Sequence, residues 1–226
     1  MHIVTSIDML SYTEENYLKA IYHLSDGGQK AVLTNELADA MNTKPASVTD
    51  MIKKLSVKKL ISYEKYYGVT ITKQGKADAL IIIRKHRLWE TFLVQKLNFN
   101  WDQVHEVAEQ LEHIQSKLLI EKLDEFLGHP IADPHGHVIP DKNGKFHVSQ
   151  QIPLGEITEK KTATVKAVKR GSPSFLQYLS KIGLYIGAHV SVLEKTEFDG
   201  SVEILIDKKK KAFISKEASQ NILVTE

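Results

Sequence analysis

Apolar and polar positions along the chain fall into three regimes, and each predicts a different kind of structure. After the capping-box sequence Ser11-Tyr12-Thr13-Glu14, Tyr17, Leu18, Ile21, Tyr22 and Leu24 recur at helical spacing until Asp26-Gly27-Gly28 ends the run. A second short helix fits Thr34 to Met41, with Leu37, Ala38 and Met41 on one face. A turn at Asn42-Thr43-Lys44 follows, and Pro45 then stands at the first position of a third helix whose inward stripe is Val48, Met51, Ile52 and Leu55. Two short helices joined by so tight a turn predict a helix-turn-helix. From Leu60 to Thr72 the pattern becomes β-rich around Gly68, which predicts a hairpin placed as the wing of a winged helix-turn-helix.

The second regime is long-period and helical. One helix is predicted from about Lys73 to Leu97, where Asn98-Phe99-Asn100 interrupts it. Another is predicted from Trp101 to about Leu127, capped by Asn100 and Gln103. The pair reads as a dimerisation or core hairpin. Gly128 to Pro153 has little periodicity and reads as an ordered loop or linker. In the third regime β-branched runs return as TATVKAV, HVSVLEKT, SVEILID and NILVT, interrupted by a short helix ending at Gly183. The expected fold is therefore mainly α with a small β domain. It divides into a winged helix-turn-helix over 1–73, a helical domain with its linker over 74–150, and an SH3-like barrel over 151–226. The lysine run 208–211 reads as a loop or sheet edge that discourages strand pairing.

Composition changes this picture in three places. The 226 residues contain no cysteine, which excludes disulfides, thiolate zinc sites, iron–sulfur clusters and thiol nucleophiles. No apolar run approaches the roughly 18 to 20 residues that cross a bilayer, and the first residues lack the pattern of a secretory signal. A cytoplasmic protein without a membrane partner is expected. The net charge of +2 hides a segregated distribution: Thr43 to Lys76 carries eight lysines against one Asp and one Glu, while seven of the ten histidines fall between His86 and His147.

The basic segment points to duplex DNA. Lys44, Pro45, Ser47, Thr49, Asp50 and Lys53 occupy the start and outward side of the third helix, where a recognition helix meets bases and phosphates. Lys58, Lys59, Lys65 and Lys73 are placed to line phosphates around the wing. The imidazole-rich segment points to a metal. His105, Glu109, Glu112 and His113 share one sector of the second long helix, and His86 and Glu90 share a face of the first. Two carboxylates balance a divalent charge, and His86, Glu109, Glu112 and His113 supply such a set. With oxygen in excess of nitrogen and no sulfur, the site leans toward Mn²⁺ or Fe²⁺. Glu90 with Asp133, His135 and His137 of Asp-Pro-His-Gly-His suggests a second site. The alternative is a solvated helix face of ordinary charges. His105-Glu106 begins like HExxH, but Glu109 stands where that zincin motif requires His, so a hydrolase is disfavoured. A winged-helix regulator answering to another ligand remains the competing non-enzymatic reading.

Taken in order, TEENYLKAIYHL, LADAMNTKPASVTDMIKKL, YEKYYGVTITKQG, RKHRLWETFL, HEVAEQLEHIQS, DPHGHVIP and FLQYLSKIGLYIGAHVSVLE resemble the diphtheria-toxin-repressor family of metal-dependent transcriptional repressors, particularly its manganese-responsive branch. The resemblance implies a homodimer that binds a palindromic operator and represses metal-uptake genes. It implies a primary metal site of Asn16, His86, Glu109, Glu112 and His113, and an ancillary site of Glu90, His105, Asp133 and His135. Glu109 stands where iron-responsive relatives carry Cys, which favours Mn²⁺ over Fe²⁺. Asn16 stands where the family usually has Asp or Met, keeping an oxygen donor but dropping a charge.

Overall fold

The computed structural model describes residues 10–146, 150–169 and 171–226. His147 and the first nine residues of the predicted DNA-binding domain lie outside these. Helix α1 (Tyr12–Leu24) starts where the capping box places it: the Glu14 N–H donates to Ser11 Oγ at 3.3 Å and the Ser11 N–H to Glu14 Oε2 at 2.8 Å. Two donors that the helix cannot pair internally are thereby satisfied. Helices α2 (Thr34–Ala40) and α3 (Pro45–Val57) follow, with Pro45 in the first turn of α3, where its missing N–H costs nothing. Strands β1 (Ile61–Glu64) and β2 (Gly68–Ile71) pair antiparallel, Ile61 opposite Ile71 and Glu64 opposite Gly68. Val32 bridges to Val69 beside them. Gly68 has φ +102°, and a Cβ there would lie 2.5 Å from the Val32 carbonyl oxygen, so the approach requires glycine. At the hairpin tip Tyr66 (φ +72°) and Tyr67 are exposed, with the Lys65 ammonium 5.0 Å from the Tyr66 ring centre.

Helix α4 (Lys73–Leu97) has the predicted bounds. As far as His86 it belongs, with all the preceding elements and with Glu112–Gln115 and Pro140–Lys145, to the first of two compact units. The core of that unit is Leu18 and Ile21 of α1, Leu37 of α2, Val48, Ile52 and Leu55 of α3, and Leu60, Ile61 and Val69 around the wing. Burying each of these side chains stabilises the unit by about 1.5–3 kcal/mol.

The second unit comprises Arg87–Leu111, Ser116–Ile139 and Phe146–Glu226. Here the structure corrects the sequence. The predicted helix from Trp101 to Leu127 is two helices, α5 (Val104–Leu111) and α6 (Lys117–Phe126), with no helix over 112–116. Ser116 caps α6 by accepting the Leu119 N–H at 3.3 Å. After the loop come β3 (Ile152–Pro153), β4 (Thr162–Val168), helix α7 (Pro173–Ile182), β5 (His189–Lys195), β6 (Val202–Ile206), β7 (Lys210–Ile214), helix α8 (Lys216–Asn221) and β8 (Ile222–Thr225). The strands form one six-stranded sheet in the order β3-β8-β4-β5-β6-β7, with antiparallel neighbours throughout. Alternation along β6 sends Val202, Ile204 and Ile206 inward to meet Val165, Val190, Ile214, Ile222 and Leu179. Gly183, at φ +81°, ends α7 as expected. Lys210 and Lys211 of the lysine run lie on the edge strand β7, as an edge that discourages pairing requires, and β7 and α8 are elements beyond those the hydrophobic pattern predicts. Among the described residues no helix is long and apolar enough to cross a membrane.

Candidate metal centre

Tyr12, Glu15, Asn16 and Lys19 are spaced three and four apart on α1 and so share one face. Within the first unit this face meets Lys85 and His86 of α4 and the segment Glu112–Gln115. Glu112 is wholly buried. One of its oxygens accepts from Lys19 Nζ at 2.6 Å and the other from His86 Nδ1 at 2.6 Å. Glu15, also buried, accepts from His113 Nδ1 at 2.5 Å and Gln115 Nε2 at 2.8 Å, and the Lys85 ammonium lies 3.6 Å away. The Tyr12 ring stacks on His113 with centroids 4.6 Å apart. The hydrogen-bond partners on α1, 93 to 100 residues distant in sequence, explain why the helix stops after Leu111. Leaving buried carboxylates unpaired would cost more than the few helical hydrogen bonds lost at the break.

Charge within this cluster is nearly closed. Burial pushes the Glu112 carboxyl up, but the bonds from His86 and Lys19 outweigh it and hold the group below its ordinary range. Burial draws the Lys85 ammonium down against the opposing pull of Glu15 and Glu112. One atom is left over: Asn16 Oδ1 is buried and has no hydrogen-bond partner among the described residues. A buried acceptor in that state costs about 1–3 kcal/mol unless something electropositive reaches it. With carboxylates, imidazoles and an amide oxygen as donors and no sulfur, the set fits a hard or borderline divalent cation.

The second unit holds another cluster. Asp133, His135 and His137 each present a ligand atom within 4.8 Å of the others. Asp133 Oδ1 accepts the N–H groups of His135 at 2.7 Å and His137 at 3.0 Å, which folds the Asp-Pro-His-Gly-His loop around its own carboxylate. His135 Nε2 donates to the Trp101 carbonyl at 2.7 Å and His137 Nε2 to the Val168 carbonyl at 2.9 Å. Carbonyls only accept, so both rings carry hydrogen on Nε2 and turn Nδ1 inward. The inward nitrogens face Glu90 Oε2, 3.6 Å from His135, and Asp133 Oδ2, 3.1 Å from His137. Burial alone would draw the His135 imidazolium down, but Glu90, Asp133 and the Trp101 carbonyl raise it above its ordinary value. His105 Nδ1 lies 3.6 Å from Glu90 Oε1 and its Nε2 3.6 Å from Glu109 Oε1. Gly136, at φ +83°, lets the loop dock on β4, since a Cβ there would lie 1.8 Å from the Lys166 carbonyl oxygen.

Of the predicted primary residues, the structure thus brings His86, Glu112 and His113 to the α1 face that carries Asn16, and places Glu109 in the second unit beside His105. The predicted ancillary residues Glu90, His105, Asp133 and His135 lie in one unit, and His137 joins them. Sequence reasoning missed Tyr12, Glu15, Lys19 and Lys85. For Tyr12, Glu15 and Lys19 the signal was the repeat of polar groups along one face of α1; Lys85, on α4, had none.

On the DNA side, Lys44, Pro45, Ser47, Thr49, Asp50, Lys53 and Lys65 are all exposed. The Thr49 hydroxyl donates to the Pro45 carbonyl at 2.9 Å, and Lys53 lies 3.2 Å from Asp50. Lys58 departs from expectation. Its ammonium is 3.0 Å from Glu14 and ties α3 to α1 instead of facing outward to phosphates.

Three families of known proteins match successive stretches of the chain. Residues 9–69 match the family described as "Iron dependent repressor, N-terminal DNA binding domain". Residues 72–141 match "Iron dependent repressor, metal binding and dimerisation domain", and residues 152–226 match "FeoA domain". A solved manganese-dependent transcriptional repressor in complex with manganese is 33% identical, with a TM-score of 0.83, over 94% of this chain and 99% of that one. An uncharacterized HTH-type transcriptional regulator of Methanocaldococcus jannaschii is 36% identical over 52% of this chain and 94% of its own length. The iron-dependent repressor IdeR of Mycobacterium tuberculosis is 30% identical over 57% of this chain, a match that spans 55% of that protein. The exposed recognition helix and wing, the buried carboxylate–imidazole clusters and these relatives agree: the chain belongs to the iron-dependent, or diphtheria-toxin, repressor family and is a metal-dependent DNA-binding transcriptional repressor, not an enzyme.

Proposed function

We propose that this chain represses metal-uptake genes as a homodimer on a palindromic operator, and that Mn²⁺, or failing that Fe²⁺, holds it in the binding form. The observation that carries the reading is the buried Asn16 Oδ1, without a hydrogen-bond partner among the described residues, on the helix face where Glu15 and Lys19 reach His113 and Glu112. We assign Asn16, His86, Glu109, Glu112 and His113 to the primary site, and Glu90, His105, Asp133 and His135 to an ancillary one. The oxygen-rich donor set and the manganese complex of the 33%-identical repressor support Mn²⁺.

A bound dication would supply the positive charge that these oxygens and nitrogens share. The chain's own residues determine what that does. Asn16 belongs to α1, and α1 is tied to the recognition helix through Glu14 and Lys58. Fixing α1 against Glu112 and His113 therefore fixes α3 as well. Only a difference in affinity between competent and incompetent forms can drive the switch, and couplings of about 1–3 kcal/mol correspond to roughly 5- to 150-fold in operator affinity. On the operator, Lys44, Pro45, Ser47, Thr49, Asp50 and Lys53 would meet the major groove and Lys65 the backbone. Leu97, Leu118, Leu119 and Phe126 leave apolar surface exposed on α4 and α6, which supports pairing through residues 74–127. We place the domain boundaries near 73 and 150, and the protein with the chromosome in the cytoplasm.

The test begins with selection of an operator from random duplexes. Fluorescence anisotropy then measures binding at buffered free Mn²⁺, Fe²⁺, Co²⁺ and Zn²⁺ and in chelator. Tight binding with Mn²⁺ or Fe²⁺ and weak binding in chelator is expected. Undiminished binding in chelator refutes metal control, and activation by Zn²⁺ or Co²⁺ alone refutes the choice of metal.

A further inference from the structure

Both oxygens of Glu112 are already engaged by groups of the chain itself, one by the Lys19 ammonium and one by His86. Glu15 is likewise engaged by His113, Gln115 and Lys85. Two carboxylates therefore face two ammonium groups in a buried pocket that has no room for uncompensated charge. A dication added to this arrangement would leave two positive charges in excess. An ammonium and a metal ion sharing one buried carboxylate oxygen repel strongly enough to cost about two orders of magnitude or more in affinity. Something has to leave, and the two lysines are not equally able to do so. The Lys85 side chain is 6% exposed and lies 3.6 Å from Glu15, whereas Lys19 is 13% exposed, nearer to water, and is the ammonium that sits on Glu112 at 2.6 Å.

We infer that Lys19 is a resident cation on Glu112, displaced when metal enters, and that it sets the metal concentration at which the primary site fills. This rests on the primary-site reading given above. The contact has two consequences. It keeps Glu112 charge-paired and α1 docked when metal is scarce. It also makes the site answer only to ions able to compete with a tethered ammonium for a buried carboxylate, a demand met by divalent ions and not by the monovalent ions of the cell. The opposing arrangement, in which Lys19 stays on Glu112 and orients it toward the ion, predicts the reverse dependence.

The experiment measures Mn²⁺ binding by loss of the free-ion electron paramagnetic resonance signal, and thermal unfolding in chelator, for the full chain and for Lys19→Met and Lys19→Arg. Lys19→Met is expected to bind Mn²⁺ at least about tenfold more tightly than wild type while unfolding at a lower temperature in chelator. Lys19→Arg, whose fork grips a carboxylate at two points, should bind Mn²⁺ more weakly, and it carries the test if the methionine variant does not fold. Unchanged or weaker Mn²⁺ binding by folded Lys19→Met, or tighter binding by Lys19→Arg, overturns the inference while wild-type binding leaves the metal site intact. Absence of Mn²⁺ binding by the folded wild type instead removes the primary-site reading and this inference with it.

Discussion

Glu112 offers the sharpest test of how the first unit is held together. Its carboxylate is wholly buried and accepts two charge-assisted hydrogen bonds, each worth about 1.5–3 kcal/mol. Glu112→Ala removes both and takes from the buried His86 the carboxylate that its Nδ1 meets. Breaking a buried ion pair from one side costs about 3–5 kcal/mol, and the partial exposure of Lys19 lets its ammonium recover some water, so about 3 kcal/mol is expected. At about 2–4 °C per kcal/mol for a chain of this size, the unfolding transition of that unit should fall by about 6–12 °C. Calorimetry in chelator at neutral pH measures it free of any metal contribution. The pH dependence adds a second constraint. The folded carboxyl titrates below its ordinary value of 4.5, so its contribution is complete above that value and is lost as pH falls through the depressed one. The gap between wild type and variant should therefore persist to about pH 4.5 and close below it. A neutral-pH difference under about 2 °C, or a gap that closes near pH 6, would refute the claim that an ionised Glu112 pins the segment Glu112–Gln115 to α1.

Three further outcomes are expected. Gly136→Ala forces a left-handed residue and a clash with the Lys166 carbonyl, so it should destabilise the second unit by at least about 2 kcal/mol, seen as a lowered calorimetric transition. Lys65→Ala should lower operator affinity similarly across sequence variants and reduce the slope of log affinity against log salt by about 0.9, measured by anisotropy at several salt concentrations. Tyr66→Asn, at a position with φ +72° and little packing, should raise stability by about 0.5–1 kcal/mol in urea unfolding, since asparagine tolerates the left-handed region and tyrosine does not.

Local signals carried most of the fold. Ser11 and Glu14 marked the start of α1, Pro45 that of α3 and Gly183 the end of α7, because each acts on backbone atoms within a few residues. The break between α5 and α6 was not legible. Leu111, Ile114 and Leu118 continue the helical period across it, no proline or glycine marks it, and the cause lies in partners on α1 and α4. The same distance hid half of the first cluster. Glu15 beside Glu14 reads as an ordinary acid of a first helical turn, and Lys19 and Lys85 read as solvated charges until the fold sets them against Glu112 and Glu15. Strand β7 was obscured for a different reason: its lysines mimic a loop, although they mark the rim of a sheet.

That rim bears on how the β module behaves when two copies are held close together. At one end of the six-stranded sheet, β3 offers just two residues, one of them a proline without an N–H to donate. At the other, any strand approaching β7 must bring its backbone past Lys210 and Lys211. Both open borders therefore resist recruiting a foreign strand. A dimer can then raise the local concentration of this module to the millimolar range without nucleating intermolecular sheets or exchanging segments between subunits.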